Sequence, residues 1–157
     1  MERLAGPGKG IKDMNVAVKK LKEKAVLPTY GSAQAAGADL YACLEADLTI
    51  GPGETAFVPT GLAMELPTGY VGLIYARSGL ACKRDLAPAN KVGVIDSDYR
   101  GEFIVALYNH GKNPQTISHG ERVAQLVITP VLNVAFTETE ELSDTQRAAG
   151  GFGSTGK

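Results

Sequence analysis

Turn-forming residues break this chain so often that no long regular element can run through it. Nineteen glycines and eight prolines lie among short apolar runs. Glycine supplies the positive-φ positions of tight turns, and proline withdraws a donor from a sheet ladder. Val16 and Val18 alternate with smaller or polar neighbours, and Leu48-Thr49-Ile50 reads as a short strand ending at Gly51-Pro52-Gly53. Thr55 to Pro59 and Gly61 to Leu66 read as two further strands, and Pro67-Thr68-Gly69 turns the chain into Tyr70 to Tyr75. The apolar runs Lys91 to Ile95 and Glu102 to Tyr108 flank Asp96 to Gly101, which predicts a hairpin. Val123 to Val134 is long and apolar, and Pro130 predicts that it divides into two strand pieces. Helical periodicity is nearly absent; only Ser78 to Arg84 suits one or two helical turns. Short strands recurring at intervals of about 8–12 residues predict an all-β fold, a sandwich or barrel of jelly-roll type.

A chain of 157 residues makes one domain and can bury a core without disulfides or a structural metal. Cys43 and Cys82 form no CxxC and read as free thiols of a reducing compartment. A net charge of −1 leaves no global basic field, which argues against non-specific binding to a nucleic-acid backbone. No apolar run approaches the ~20 residues of a membrane span. Met1 to Gly10 is polar and Gly-rich, unlike a secretory signal, and a cytoplasmic protein is expected. Three parts are expected: a flexible leader over 1–13, a β core over 14–136 and a tail over 137–157. The tail runs from acidic and polar (TETEELSDTQ) to RAAGGFGSTGK. With little to bury, it is expected to be mobile when alone.

Four segments carry residue types suited to a phosphorylated ligand, and each also has a plain structural reading. In Ala76-Arg77-Ser78-Gly79-Leu80, an Arg beside a Ser, with Gly permitting close backbone approach, suits phosphate oxygens. The same residues read as a strand end with a surface Arg and a helix N-cap Ser. Gly93-Val94-Ile95-Asp96-Ser97-Asp98-Tyr99-Arg100-Gly101 offers carboxylates and an aromatic, or ordinary turn chemistry. It lacks the further oxygen ligands of a Ca²⁺ loop. Gly120-Glu121-Arg122-Val123-Ala124-Gln125 enters a strand, with Gln125 and Arg122 expected on opposite sides. The last segment, Arg147 to Lys157, combines glycines, hydroxyls, an arginine and Phe152. Its backbone N–H groups and hydroxyls suit phosphate, and its ring suits stacking on a flat base.

Together with Ala36-Gly37-Ala38-Asp39-Leu40-Tyr41-Ala42, these segments occur in one order along the chain. In that order the sequence resembles the trimeric dUTPase family, from about residue 15 onward. One departure is Ala148, where the family usually has glycine directly after the arginine.

The resemblance implies a homotrimer of jelly-roll subunits with active sites at the subunit interfaces, hydrolysing dUTP to dUMP and pyrophosphate with Mg²⁺. It implies that Asp96 orients the attacking water and meets the sugar 3′-OH. Tyr99 lies under the deoxyribose and rejects a 2′-OH. Asn90, with the backbone of Gly93 and Ile95, reads the uracil edge. Ser78 donates to an oxygen between the α- and β-phosphates, and Arg77, Gly79 and Gln125 hold phosphate oxygens. Mg²⁺ sits mainly on the triphosphate, with Asp39 reaching its water shell. The tail then closes, with Phe152 over the uracil, Arg147 on the γ-phosphate, and Gly153, Ser154 and Thr155 adding hydrogen bonds. Neither nucleic acid nor membrane is an expected partner, and a regulatory protein partner is not readable from the sequence. A dCTP deaminase of the same fold would need an extra acid/base residue near cytosine C4, for which no motif is visible. A non-catalytic trimeric binding module and a purely structural jelly roll are two rival readings of a different class.

Overall fold

The computed structural model describes residues 14–152. The expected leader and residues 153–157, including Gly153, Ser154 and Thr155, lie outside the described residues. Eleven strands and one short helix occur in the order β1 (Ala17–Lys20), β2 (Thr29–Tyr30), β3 (Ala38–Tyr41), β4 (Leu48–Ile50), β5 (Thr55–Glu65), β6 (Tyr70–Tyr75), α1 (Ser78–Arg84), β7 (Leu86–Pro88), β8 (Gly93–Ile95), β9 (Glu102–Asn109), β10 (Gln115–Ile117) and β11 (Arg122–Pro130). The strands form a four-stranded sheet, β1-β5-β9-β7, a five-stranded sheet, β2-β3-β11-β6-β8, and a two-stranded sheet, β10-β4. Strand pairing is antiparallel throughout these sheets. This is the all-β jelly-roll architecture expected from the turn spacing.

Alternation along each strand builds the core. On β9, Phe103, Val105 and Leu107 are buried while Ile104 is exposed. They pack in one cluster with Val58 and Leu62 of β5, Leu40 of β3, Ile74 of β6 and Leu126 of β11. Leu80 of α1 joins the same cluster, which docks the helix.

The structure corrects three expectations. Thr55 to Leu66 is not two strands: β5 is continuous, and its register with β9 shifts between Pro59 and Ala63. The irregularity centres on Gly61, at φ +69. A Cβ there would lie 2.8 Å from the Ala25 Cβ and 2.9 Å from the Cys43 Sγ, so only glycine fits without displacing the core. The Gly61 N–H donates to Glu102 Oε1 at 2.8 Å, and the buried Thr60 hydroxyl donates to the Phe103 carbonyl at 2.6 Å. These bonds compensate for the interrupted ladder, as buried polar groups require.

The predicted hairpin around Asp96 to Gly101 is also absent as a paired ladder. β8 pairs with β6 in one sheet, whereas β9 pairs with β5 and β7 in the other. The intervening loop is a crossing between sheets. Finally, Val123 to Val134 is not two strand pieces, because β11 runs unbroken to Pro130. Pro130 is its last residue, opposite Tyr70, where a missing donor interrupts no interior ladder. β2, β3, β7 and β10, of two to four residues each, were not anticipated; they are too short to carry a period.

Candidate active site

Apart from those of the tail, the residues singled out by sequence fall into two groups at different places along the five-stranded sheet. The first gathers where β3, β11 and the end of β6 meet. In the ladder, Gln125 stands opposite both Asp39 and Tyr75. Ala76 and Arg77 follow Tyr75 directly, so the chain leaving β6 passes these two side chains. Gln125 Nε2 donates to the Ala76 carbonyl at 2.8 Å. The Asp39 carboxylate accepts from Arg77 Nε at 2.8 Å and from Arg122 Nη1 at 3.4 Å. Bound through Nε, Arg77 keeps its two terminal amino groups for another acceptor. The β-bulge between Arg122 and Ala124 re-aims Arg122 towards Asp39. Arg122 and Gln125 thus serve the same end of the sheet rather than opposite sides, and Arg122 is a member that sequence reasoning did not assign to the site. Gly37 is needed here, because a Cβ would run into the Gln125 side-chain oxygen.

Ser78 is the first helical residue of α1. The N-cap position is Arg77, in extended conformation (φ −90, ψ 128), with no side-chain capping bond. The capping reading of Ser78 is therefore set aside, and its exposed hydroxyl adjoins Arg77 and the exposed Gly79. A cleft of about 420 Å³ runs past Arg77, Gly79, Lys83, Arg84 and Arg122. Arg84 is committed to Glu121 at 2.7 Å and also donates to the Thr116 carbonyl, so within the described contacts its charge is structural.

The second group lies on β8 and the crossing loop. A cavity of about 340 Å³ is lined by Asn90, Gly93, Ile95, Phe57 and Ile104 among others. Gly93 is buried, and a Cβ there would sit 3.2 Å from the Ile74 Cβ and 3.5 Å from Asn90 Nδ2. Beyond Ile95 the chain turns: the Tyr99 N–H donates to the Asp96 carbonyl at 3.1 Å. The Tyr99 hydroxyl donates to the Glu102 carbonyl at 3.0 Å. Its ring lies over Gly101, where any Cβ would collide with it. Asp96 is exposed, and no lysine or arginine pairs with its carboxylate among the described residues.

One chain does not bring the two groups together. Ile95 stands opposite Gly72, whereas Gln125 stands opposite Tyr75. From Asp96 to Gln125 is four residues along the strands and two strand spacings across, roughly 16 Å between backbones. The two side chains cannot both reach one phosphorus atom from there. The tail group stands apart as well. Arg147 Nε donates to the Gly150 carbonyl at 2.9 Å, and Phe152 is fully exposed. The backbone at Ala148 has φ +43, a left-handed conformation that glycine adopts without the Cβ clash.

Among the described residues, no cluster of three or more His, Cys, Asp or Glu side chains is arranged to hold a metal ion. Asp39 already accepts from two arginines, yet a carboxylate has further lone pairs. Its chemistry fits an acceptor for metal-bound water better than a direct ligand. No described helix is long and apolar enough to cross a membrane.

Residues 23–156 match the family model described as dUTPase. The deoxyuridine 5'-triphosphate nucleotidohydrolase of Syntrophotalea carbinolica is 46% identical over 146 residues, covering 93% of this chain and 99% of the relative. The protein of that name from Desulfitobacterium hafniense is 53% identical over 137 residues, covering 86% and 91%. The solved Staphylococcus bacteriophage 80alpha dUTPase with dUPNHPP superposes with a TM-score of 0.85 at 29% identity, over 91% of this chain and 99% of that one. A mutant dUTPase from phage phi11 of S. aureus, described for its coordination of a structural Mg(II) ion, has a TM-score of 0.76 at 25% identity, over 83% and 100%.

Proposed function

This chain belongs to the dUTPase family and is a dUTP diphosphatase, and we propose that it forms dUMP and pyrophosphate by Mg²⁺-assisted attack of water on the α-phosphorus, at sites assembled between the subunits of a homotrimer. The observation that carries the interfacial part is the separation of Asp96 from Arg77, Ser78 and Gln125 within one chain. A second copy supplies what the first lacks. Exposed Val94, Val131 and Leu132 border one surface cleft and support the same reading, because contiguous exposed apolar surface marks an interaction site.

In the assembled site, Arg77, with its Nε held by Asp39, presents its remaining N–H groups to phosphate oxygens. Ser78 donates to the oxygen between the α- and β-phosphates, where charge develops as pyrophosphate leaves. Gln125 and the Gly79 backbone hold further oxygens. Asp96, from another subunit, accepts from the attacking water and the 3′-OH, and a carboxylate free of ion pairs suits both tasks. Asn90 and the backbone at Gly93 and Ile95 line the cavity that receives the base. Tyr99, pinned over Gly101, occupies the space a 2′-OH would need. The tail closes last, with Phe152 on the base, Arg147 on the γ-phosphate, and Gly153, Ser154 and Thr155 on the phosphates, excluding water other than the nucleophile. When bound, Mg²⁺ neutralises charge on the triphosphate oxygens and fixes their geometry. Asp39 would hold one of its waters. In a cell the reaction limits uracil incorporation into DNA and supplies dUMP for thymidylate synthesis, in the cytoplasm.

The test is pyrophosphate release from dUTP, dTTP, dCTP and UTP, each with Mg²⁺ and with excess chelator. Release from dUTP alone, lost with chelator, is the expected result. Comparable release from UTP or dTTP would remove the sugar and base gates assigned here.

A further inference from the structure

The Asp96–Tyr99 turn has no ladder to hold it. It leaves β8 in one sheet and enters β9 in the other, and its one internal backbone bond is Tyr99 N–H to the Asp96 carbonyl. We propose that Arg100 is a positioning residue that fixes this turn, with Glu65 as its anchor; the proposal rests on the roles given above to Asp96 and Tyr99. Arg100 Nη1 donates to the Ser97 carbonyl at 2.7 Å and to the Tyr99 carbonyl at 3.1 Å. Arg100 Nη2 reaches Glu65 Oε1 on β5 at 3.3 Å. One rigid planar group therefore bridges two carbonyls of the turn and ties them to the neighbouring sheet. Its fork geometry is what the task requires, since a lysine carries the charge on a single point donor.

The bridge acts on both functional side chains of the turn. Asp96 opens it and Tyr99 closes it, so a turn that relaxes moves the carboxylate and the ring together. The remaining tethers, the Tyr99 N–H to the Asp96 carbonyl at 3.1 Å and the Tyr99 hydroxyl to the Glu102 carbonyl at 3.0 Å, do not bind the Ser97 and Tyr99 carbonyls to β5. Stability is a poor reason for this arrangement. The Arg100 and Glu65 side chains are 53% and 64% accessible, and exposed ion pairs contribute little. Removing Arg100 also opens no buried void, because it borders a surface cleft of about 390 Å³ shared with Val18 and Met64. Positioning and stability therefore predict different outcomes.

The experiment uses the full chain with R100A, R100K and E65Q, and with D96N and Y99A as references. The readouts are kcat and KM for dUTP, the dUTP/UTP ratio of kcat/KM, and the thermal midpoint. R100A is expected to keep its midpoint within about 2–4 °C of the parent and to lose about tenfold or more in kcat on dUTP. Its dUTP/UTP ratio narrows in the same direction as that of Y99A, with R100K and E65Q following more weakly. An unchanged ratio in R100A overturns the proposal, whether turnover is parental or falls along with the midpoint. Parental turnover in D96N would instead overturn the underlying assignment of Asp96, a separate failure.

Discussion

Replacing Asp96 by asparagine is expected to lower kcat for dUTP by about 10²- to 10⁴-fold while leaving dUTP binding nearly intact. The two side chains match in shape, and the amide oxygen still accepts a hydrogen bond from the 3′-OH. In the proposed mechanism, what is lost is the charge that polarises the water and takes up its proton. The surroundings make this a clean substitution. The carboxylate is exposed and free of cationic partners among the described residues, so neutralising it leaves no buried arginine unpaired. Asp39 is the instructive contrast. Its charge is shared between Arg77 and Arg122, and Asp39→Asn would disturb phosphate binding through both. Single-turnover rates and equilibrium binding of a non-hydrolysable dUTP analogue separate the two behaviours. Parental turnover in Asp96→Asn would remove Asp96 as the activating group.

Deleting residues 147–157 is expected to reduce dUTP turnover by about 10²-fold or more, with the assembly and its thermal stability unchanged. Residues 137–149 and Phe152 are exposed, so among the described residues cutting the chain at Arg147 takes little apolar surface out of the core. The contributions lost would be those of the proposed closure: the Phe152 ring over the base, the Arg147 charge, and the donors of the last residues. Because each acts on bound substrate, both kcat and KM should worsen, whereas sedimentation and melting should match the parent. Full activity in the truncated chain would contradict the closing role of the tail.

Much of the architecture was legible because glycine and proline punctuate it. Leu48–Ile50, Tyr70–Tyr75 and the Ser78–Arg84 helix match the runs read from sequence. The failures share one cause, which is that local pattern does not carry sheet membership. Pro59, Thr60 and Gly61 look like a break between two strands, yet they form an irregularity inside a single strand, held by the side chains of Thr60 and Glu102. The apolar runs on either side of Asp96 look like hairpin partners, yet each finds its ladder elsewhere. Among site residues, the motif order pointed to Arg77, Ser78 and Gln125. Arg122 and Arg100 acquire meaning only through contacts with Asp39 and with the turn carbonyls, which no spacing reveals. Nor did spacing show that Asp96 and Gln125 lie at different positions on the sheet; the ladder register did.

That separation is tested most directly by mixing subunits. In the proposed trimer, Asp96→Asn and Ser78→Ala would each damage every site when all subunits carry the same substitution. Unfolded together and refolded at equal ratio, the two variants would form trimers in which some sites draw Asp96 from one chain and Ser78 from another. Random assortment predicts recovery to about a quarter of parental dUTP turnover, well above either variant refolded alone. Activity of the mixture no greater than the mean of the two separate variants would contradict a site shared between subunits.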